Sequence, residues 1–200
     1  MERQVVYLVV EDELSEAVLR RIIRDFRKDW VIGPVYGRQG NTYLFKHIRA
    51  FNKAAQGIPH VLLTDLDDVD CPPTLVNRLF QPNEVRNLVF CIATREVETW
   101  IMADREGFAR YLGIGRSLVP SDVETIDTPR ETLISLAKRS RNRSIREDIV
   151  PKVGSTAKKG RGYNSALSSF VLQKWNVESA RGEAMSLDRA ICRISEYPTQ

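Results

Sequence analysis

Val5 to Val10 form an unbroken apolar run, VVYLVV, cut off at once by Glu11, Asp12 and Glu13. A short run this rich in β-branched residues suits a strand buried on both faces, in the middle of a parallel sheet. It is too short for a signal-peptide core or a bilayer span, so no membrane partner and a cytoplasmic location are expected. The same pattern returns twice. VLLT (61–64) runs into Asp65, Asp67, Asp68 and Asp70, and VRNLVFCIA (85–93) precedes Glu96 and Glu98. Carboxylates crowded at a strand end repel one another and need compensation.

Between these runs the spacing turns helical. Leu14, Ala17, Val18, Ile22, Ile23 and Phe26 share one face after the first strand, while Arg20, Arg21, Arg24 and Arg27 face away. Val31 to Tyr36 reads as a second strand, GRQGN as a turn, and residues 41–56 as a helix carrying Leu44, Ile48, Phe51 and Ala55. The prolines of CPPT lead into a short helix near Leu75 to Phe80, and REVETWIMADREGFARYLG continues as helix directly after the fourth strand. Strands alternating with helices predict an α/β fold with a mainly parallel sheet, whose ligands gather at the carboxyl ends of the strands. From Ser121 strand signals fade. Thr128–Pro129 reads as an N-cap and first helical residue for a helix through about Lys138. SALSSFVLQKW and SLDRAICRISEY give two further helices, and the stretch PKVGSTAKKGRGYN before them reads as a loop able to close over an anion or as a solvated linker. The expected organisation is an α/β core over 1–120 and a basic helical extension over 121–200, packed as one unit.

Composition narrows the chemistry. With His47 and His60 the only histidines, a His-rich zinc site or a serine–histidine triad has little to draw on, and Cys71, Cys91 and Cys192 form no CxxC pair. The net charge of +4 is unevenly spread: from Arg130 to Arg161 ten Lys or Arg face three acids, a net +7. Such a segment, with Arg139, Arg141, Arg143, Lys158, Lys159 and Arg161 as candidate contacts, attracts DNA or RNA phosphates, or serves solubility. Clustered acids beside it suit Mg²⁺ or Mn²⁺, which take oxygen ligands and keep several waters. Two such ions about 4 Å apart can activate water and stabilise a leaving oxygen. Acids at strand ends also cap helices and fill turns.

LVVEDE resembles the acidic pocket of response-regulator receivers, with Asp65 as phosphoacceptor and Thr94 as switch residue, but no Lys-Pro follows the Thr94 strand. A fuller resemblance is to the Toprim fold of topoisomerases, primases and overcoming-lysogenization-type nucleases, through VVE at Glu11 and the DxD of Asp65-Leu66-Asp67. VVEDELSEAVLRRII, TDLDD, REVETWIMAD, Lys159-Gly160 with Tyr163-Asn164, Trp175 and SLDRA extend it to a Toprim-like family, designated a domain of unknown function, often adjacent to ATPase genes in prokaryotic anti-phage clusters. The departure is Asp12, where many Toprim proteins have glycine, and Glu16 matches the next acidic position only loosely.

The resemblance implies a Mg²⁺-dependent nuclease with DNA or RNA and an ATPase subunit as partners, homo-oligomerisation being left open. It also implies that Asp65 and Asp67 bind the ion, that Glu11 binds it or acts as general acid or base, and that Glu96 or Glu98 completes the shell. Lys159, with Lys158, would stabilise phosphate charge. Glu96 is favoured as lying nearest the strand end, because on a continuous helix Glu98 would point roughly 200° away from it. Trp100 and Trp175 are expected in the core. A Toprim scaffold that binds without turnover is the competing reading.

Overall fold

The computed structural model describes residues 3–82 and 84–198. Among these, four strands form one all-parallel sheet in the order β2-β1-β3-β4: β1 (Gln4–Val10), β2 (Trp30–Gly37), β3 (His60–Asp65) and β4 (Val89–Ala93). The crossovers are α1 (Glu13–Phe26), α2 (Asn41–Ala54) and α3 (Pro72–Leu79). This is the expected α/β architecture, a parallel sheet flanked by helices with a helical C-terminal part.

The pleat sorts the strand side chains into two cores. Val6, Leu8, Val10, Val61, Leu63, Val89, Cys91 and Ala93 face α1 and the C-terminal helices, whereas Val9, Leu62, Phe90 and Ile92 face α2 and α3 with Leu44, Ile48 and Leu75. Strand β1 is central, as its sequence requires. Edge strand β2 tolerates Pro34, and the extra residue at Gly33–Pro34 shifts its register between Val6 and Leu8. Gly37 ends it at φ +94, where an added Cβ would stand 2.2 Å from the Val10 carbonyl oxygen. That close approach lets Gly40 donate to the Glu11 carbonyl and starts α2 beside the end of β1.

Two expectations need correction at the fourth strand. Residues 85–88 are not sheet: β3 begins at His60, opposite Leu88, and offers 85–87 no partner. Asn52 takes that place: its amide donates to the Val85 carbonyl (2.9 Å) and its oxygen accepts from the Asn87 N–H (2.8 Å). Nor does a helix follow directly. Arg95 lies at φ +60, α4 (Glu98–Ala103) starts three residues later, and Asp104 interrupts it to cap α5 (Arg105–Leu112).

Helix α6 (Pro129–Lys138) begins at Thr128–Pro129 as expected. Two short helices were not expected, α7 (Arg143–Ile149) and α9 (Val177–Arg181), each N-capped by an asparagine, Asn142 and Asn176. With α8 (Tyr163–Gln173) and α10 (Met185–Ser195) these helices extend the α1 side of the core. Arg21 and Arg24 of α1 donate to the Val171 and Leu172 carbonyls that end α8. Trp100 and Trp175 are fully buried, as expected of core residues.

Candidate functional site

The site is built where the pleat runs out. Parity sends Glu11 and Thr64 toward the α2–α3 face and Asp65 toward the α1–α4 face, so the two central strand ends supply carboxylates from both sides of one edge. Glu11 Oε1 accepts from the Thr64 hydroxyl and from the Asp65 N–H (2.9 Å). Asp65 Oδ1 accepts from the Val97 N–H (2.9 Å). Asp65 is 9% exposed. Burial first, then repulsion from Glu98, Glu11, Asp67 and Glu96, pushes its pKa well above the usual carboxylate range. Burial also raises Glu11, against the hydrogen bonds from Thr64 and Asp65.

The turn after β3 presents the second aspartate. Asp67 sits at φ +50 and Arg95 at φ +60, and the two turns are stitched together by Leu66 N–H to Ala93 O (2.9 Å) and Asp67 N–H to Arg95 O (2.8 Å). Asn41, the first residue of α2, donates its amide to Asp67 Oδ2 (2.8 Å). Asp65, Asp67, Asp68, Glu96, Arg95 and Lys158 line a cavity of about 510 Å³ at this edge. Asn41 carries no motif that sequence could single out, and Thr64 entered only as the first residue of TDLDD, with no role of its own.

Glu96 and Glu98 come together, contrary to the separation expected of a continuous helix, because residues 94–97 form an irregular turn. Arg130 holds both. Its N–H donates to Glu96 Oε2 (2.8 Å), its Nη2 pairs with Glu96 Oε1 (2.9 Å), and its Nε reaches Glu98 Oε1 (3.4 Å). Partial burial opposes its charge, but Glu98 and Glu96 outweigh that and keep the guanidinium protonated. Glu98 is 2% exposed; the Tyr163 hydroxyl donates to its Oε1 (2.7 Å), and its Oε2 is buried with no partner. Burial, then Glu98, pushes the Tyr163 pKa up, so the hydroxyl stays a donor. Arg130 and Tyr163 lie 32 and 65 residues from Glu98, and sequence reasoning assigned neither a role.

The basic residues divide. Lys158 lines the cavity. Lys159 donates to Asn164 Oδ1 (2.8 Å) and lies over the Tyr163 ring, and Asn164 reaches Asp12 at 3.5 Å, so Lys159 is tied toward the turn after β1. Gly160 fixes this loop: its N–H bonds the Ile149 carbonyl (2.9 Å), and an added Cβ would meet the Asp148 carbonyl oxygen at 2.1 Å. Arg161 is exposed on the same loop. Arg139, Arg141 and Arg143 are also exposed but lie beyond the far end of α6, about 14 Å along its axis from Arg130. Arg143 is moreover paired with Glu147 (2.8 Å). Asp12 N-caps α1, and Glu16 is held by Arg20 (2.8 Å) and Arg38 (2.7 Å), away from the cavity lining.

Among the described residues no group of three or more His, Cys, Asp or Glu side chains is arranged to hold a metal ion as it stands. The donor chemistry nonetheless fits a hard cation. Glu11 Oε2, Asp65 Oδ2 and Asp67 Oδ1 accept no hydrogen bond from the described residues, while the other oxygen of each is fixed by a neutral donor. Mg²⁺ is ordinarily held by one or two carboxylates with waters and phosphate, not by an all-protein cage. No helix among the described residues is long and apolar enough to cross a membrane.

No family model matches the chain, and no curated protein matches it. Among solved structures the chain is similar to the C-terminal region of the Burkholderia pseudomallei OLD protein, with 17% identity, a TM-score of 0.48, and coverage of 96% of this chain and 97% of that one.

Proposed function

We propose that this chain is a Toprim-type phosphodiesterase that cleaves nucleic acid with Mg²⁺ or Mn²⁺, as the effector beside an ATPase subunit in a prokaryotic anti-phage system. The observation that carries the catalytic part is the meeting of Glu11, Asp65 and Asp67 at the ends of two neighbouring parallel strands, each with one carboxylate oxygen anchored and one unbonded. The resemblance of VVE and DLD to Toprim sequences supports the reaction class, and that of TDLDD, REVETWIMAD and the Lys159 loop to the Toprim-like family is the sole basis for the ATPase and the defence setting.

Asp65 and Asp67 would hold the ion with Glu11 beside them, and the ion would supply Lewis-acid stabilisation of charge on the phosphate. Glu11 would complete the carboxylate set through Oε2, the oxygen that no described residue bonds. Lys158 draws the phosphate backbone to the cavity mouth, and Lys159 adds positive charge from the α8 side. The anchoring bonds to Glu11 and Asp65 come largely from backbone N–H groups, which hold the carboxylates without side-chain reorganisation.

The test is cleavage of single- and double-stranded DNA and of RNA in Mg²⁺ or Mn²⁺, by wild type and Asp65→Ala, alone and with the ATPase. Metal-dependent cleavage lost in Asp65→Ala is the expected result. Metal binding without cleavage in every condition would instead mark a non-catalytic Toprim scaffold.

A further inference from the structure

Between Asp29 and Asp65 the chain has no acid and four basic residues, Arg38, Lys46, Arg49 and Lys53. The last three belong to α2. At about 100° per residue they fall within roughly 60° of arc, and Leu44 and Ile48, which α2 buries, occupy the opposite side. All three are exposed, and they make no ion pair among the described residues. Carboxylates bond to α2 only away from this stripe, Asp67 at Asn41 and Glu84 at the buried Asn52. Like charges three and four residues apart weaken a helix, so the stripe is a cost that a bound polyanion would relieve.

We infer that Lys46, Arg49 and Lys53 form a track for single-stranded nucleic acid, leading it over the sheet edge into the cavity from the side opposite the Lys158–Arg161 loop, so that the bond cut is an internal one. This rests on the nuclease reading above and narrows its substrate. Asn41 and Phe45 of α2 line the cavity, so the track starts at its rim. From Asn41, Lys46, Arg49 and Lys53 follow at about 7.5, 12 and 18 Å along the helix axis.

Two features favour a single strand over a duplex. Helix α2 packs on one face of the sheet, and α8, which follows the Lys158–Arg161 loop, packs on the other, so a path touching both turns over the edge. A single strand makes that turn, whereas a duplex, with a persistence length of about 150 base pairs, resists it. Beside the stripe the half-buried rings of Tyr43 and His47 pair with centroids 4.3 Å apart. Unpaired bases stack on such an aromatic surface next to a basic track, and a duplex keeps its bases from it.

The experiment is fluorescence anisotropy with labelled oligo-dT and with a duplex of the same length, in EDTA to prevent cleavage, at several salt concentrations. The variants are the triple change Lys46→Gln, Arg49→Gln, Lys53→Gln, which keeps good helix formers, and Tyr43→Leu, with circular dichroism checking the fold. Wild type is expected to bind the single strand more tightly than the duplex. The triple variant should lose at least about tenfold in single-strand affinity and lower the slope of log K against log salt by about two, at about 0.7 per contact. Tyr43→Leu should weaken the single strand at least about threefold and the duplex hardly at all. In Mg²⁺ or Mn²⁺ a circular single strand should be cut as well as a linear one. Undiminished single-strand binding by the triple variant would overturn the inference and leave the nuclease reading intact, the stripe then serving another anionic partner or solubility. Equal affinity for strand and duplex, or cleavage of linear strands alone, would overturn the single-strand or the internal assignment. No binding of DNA or RNA by wild type would overturn the nuclease reading itself.

Discussion

Glu11 Oε1 accepts the backbone N–H of Asp65 at 2.9 Å, and this bond joins the carboxyl ends of the two central strands. It makes Glu11 a structural acceptor as well as a candidate ligand, and substitutions separate the roles. Glu11→Ala leaves the Asp65 N–H and the Thr64 hydroxyl without their acceptor, at a cost of about 1–3 kcal/mol. Glu11→Gln keeps an acceptor in place and is expected to cost less than about 1 kcal/mol while lowering Mn²⁺ affinity at least about tenfold. Urea unfolding with Mn²⁺ titration checks both, and a Glu11→Ala protein as stable as wild type would remove the structural role.

Asp65→Asn is expected to make the metal-free protein as stable as wild type or more so. The charge on Asp65 is opposed by burial and by four neighbouring carboxylates, whereas an asparagine oxygen can still accept from the Val97 N–H. Added Mn²⁺ should reverse the order. An ion at 100 times its Kd stabilises the protein that binds it by about 2.7 kcal/mol, and Asp65→Asn should lose most of that gain. Thermal melts with and without Mn²⁺ give the comparison; an Asn variant markedly weaker than wild type in EDTA would contradict it.

The parts of this arrangement that sequence displayed are local. The strand at 61–64 ran into its aspartates, and Thr128–Pro129 marked the start of α6, because apolar runs and proline geometry act over a few residues. The parts it hid are decided at long range. Residues 85–87 look like strand but lack a neighbour, and the helix expected from Arg95 is held off by a turn whose backbone bonds go to Asp67. That displacement is why Glu96 and Glu98 meet instead of diverging. Arg130 was counted among the charges of a basic segment, yet its guanidinium serves two carboxylates more than thirty residues away.

Cys71 and Cys91 should react with thiol reagents at very different rates. Cys71 is half exposed, and its hydrogen bonds with the Thr74 side chain and backbone pull its pKa below the ordinary thiol value. Burial pushes the Cys91 thiol up to about 12. Since the thiolate is the nucleophile, Cys71 should be alkylated far faster than Cys91, with a rate that rises with pH and levels off below the usual thiol range. Cys91 should stay unmodified until the protein unfolds. Peptide mapping after timed iodoacetamide treatment at several pH values reads this directly, and early labelling of Cys91 would be incompatible with its place in the core.

The division of the basic residues gives the last prediction. Lys158 lines the acidic cavity, Arg161 is exposed on the same loop without an ion pair among the described residues, and Arg143 sits beyond α6, bonded to Glu147. A phosphate contact contributes to the salt dependence of binding, with log K falling against log salt by about 0.7–0.9 per contact. Lys158→Ala and Arg161→Ala should each weaken binding of a nucleic acid and reduce that slope by about one contact. Arg143→Ala should leave both nearly unchanged, because its charge is already compensated by Glu147 and lies a helix length from the cavity. Fluorescence anisotropy with a labelled oligonucleotide in EDTA, at several salt concentrations, measures affinity and slope without cleavage. If Arg143→Ala reduced the slope as much as Lys158→Ala, nucleic acid would be following the full basic segment and not the loop at the cavity mouth.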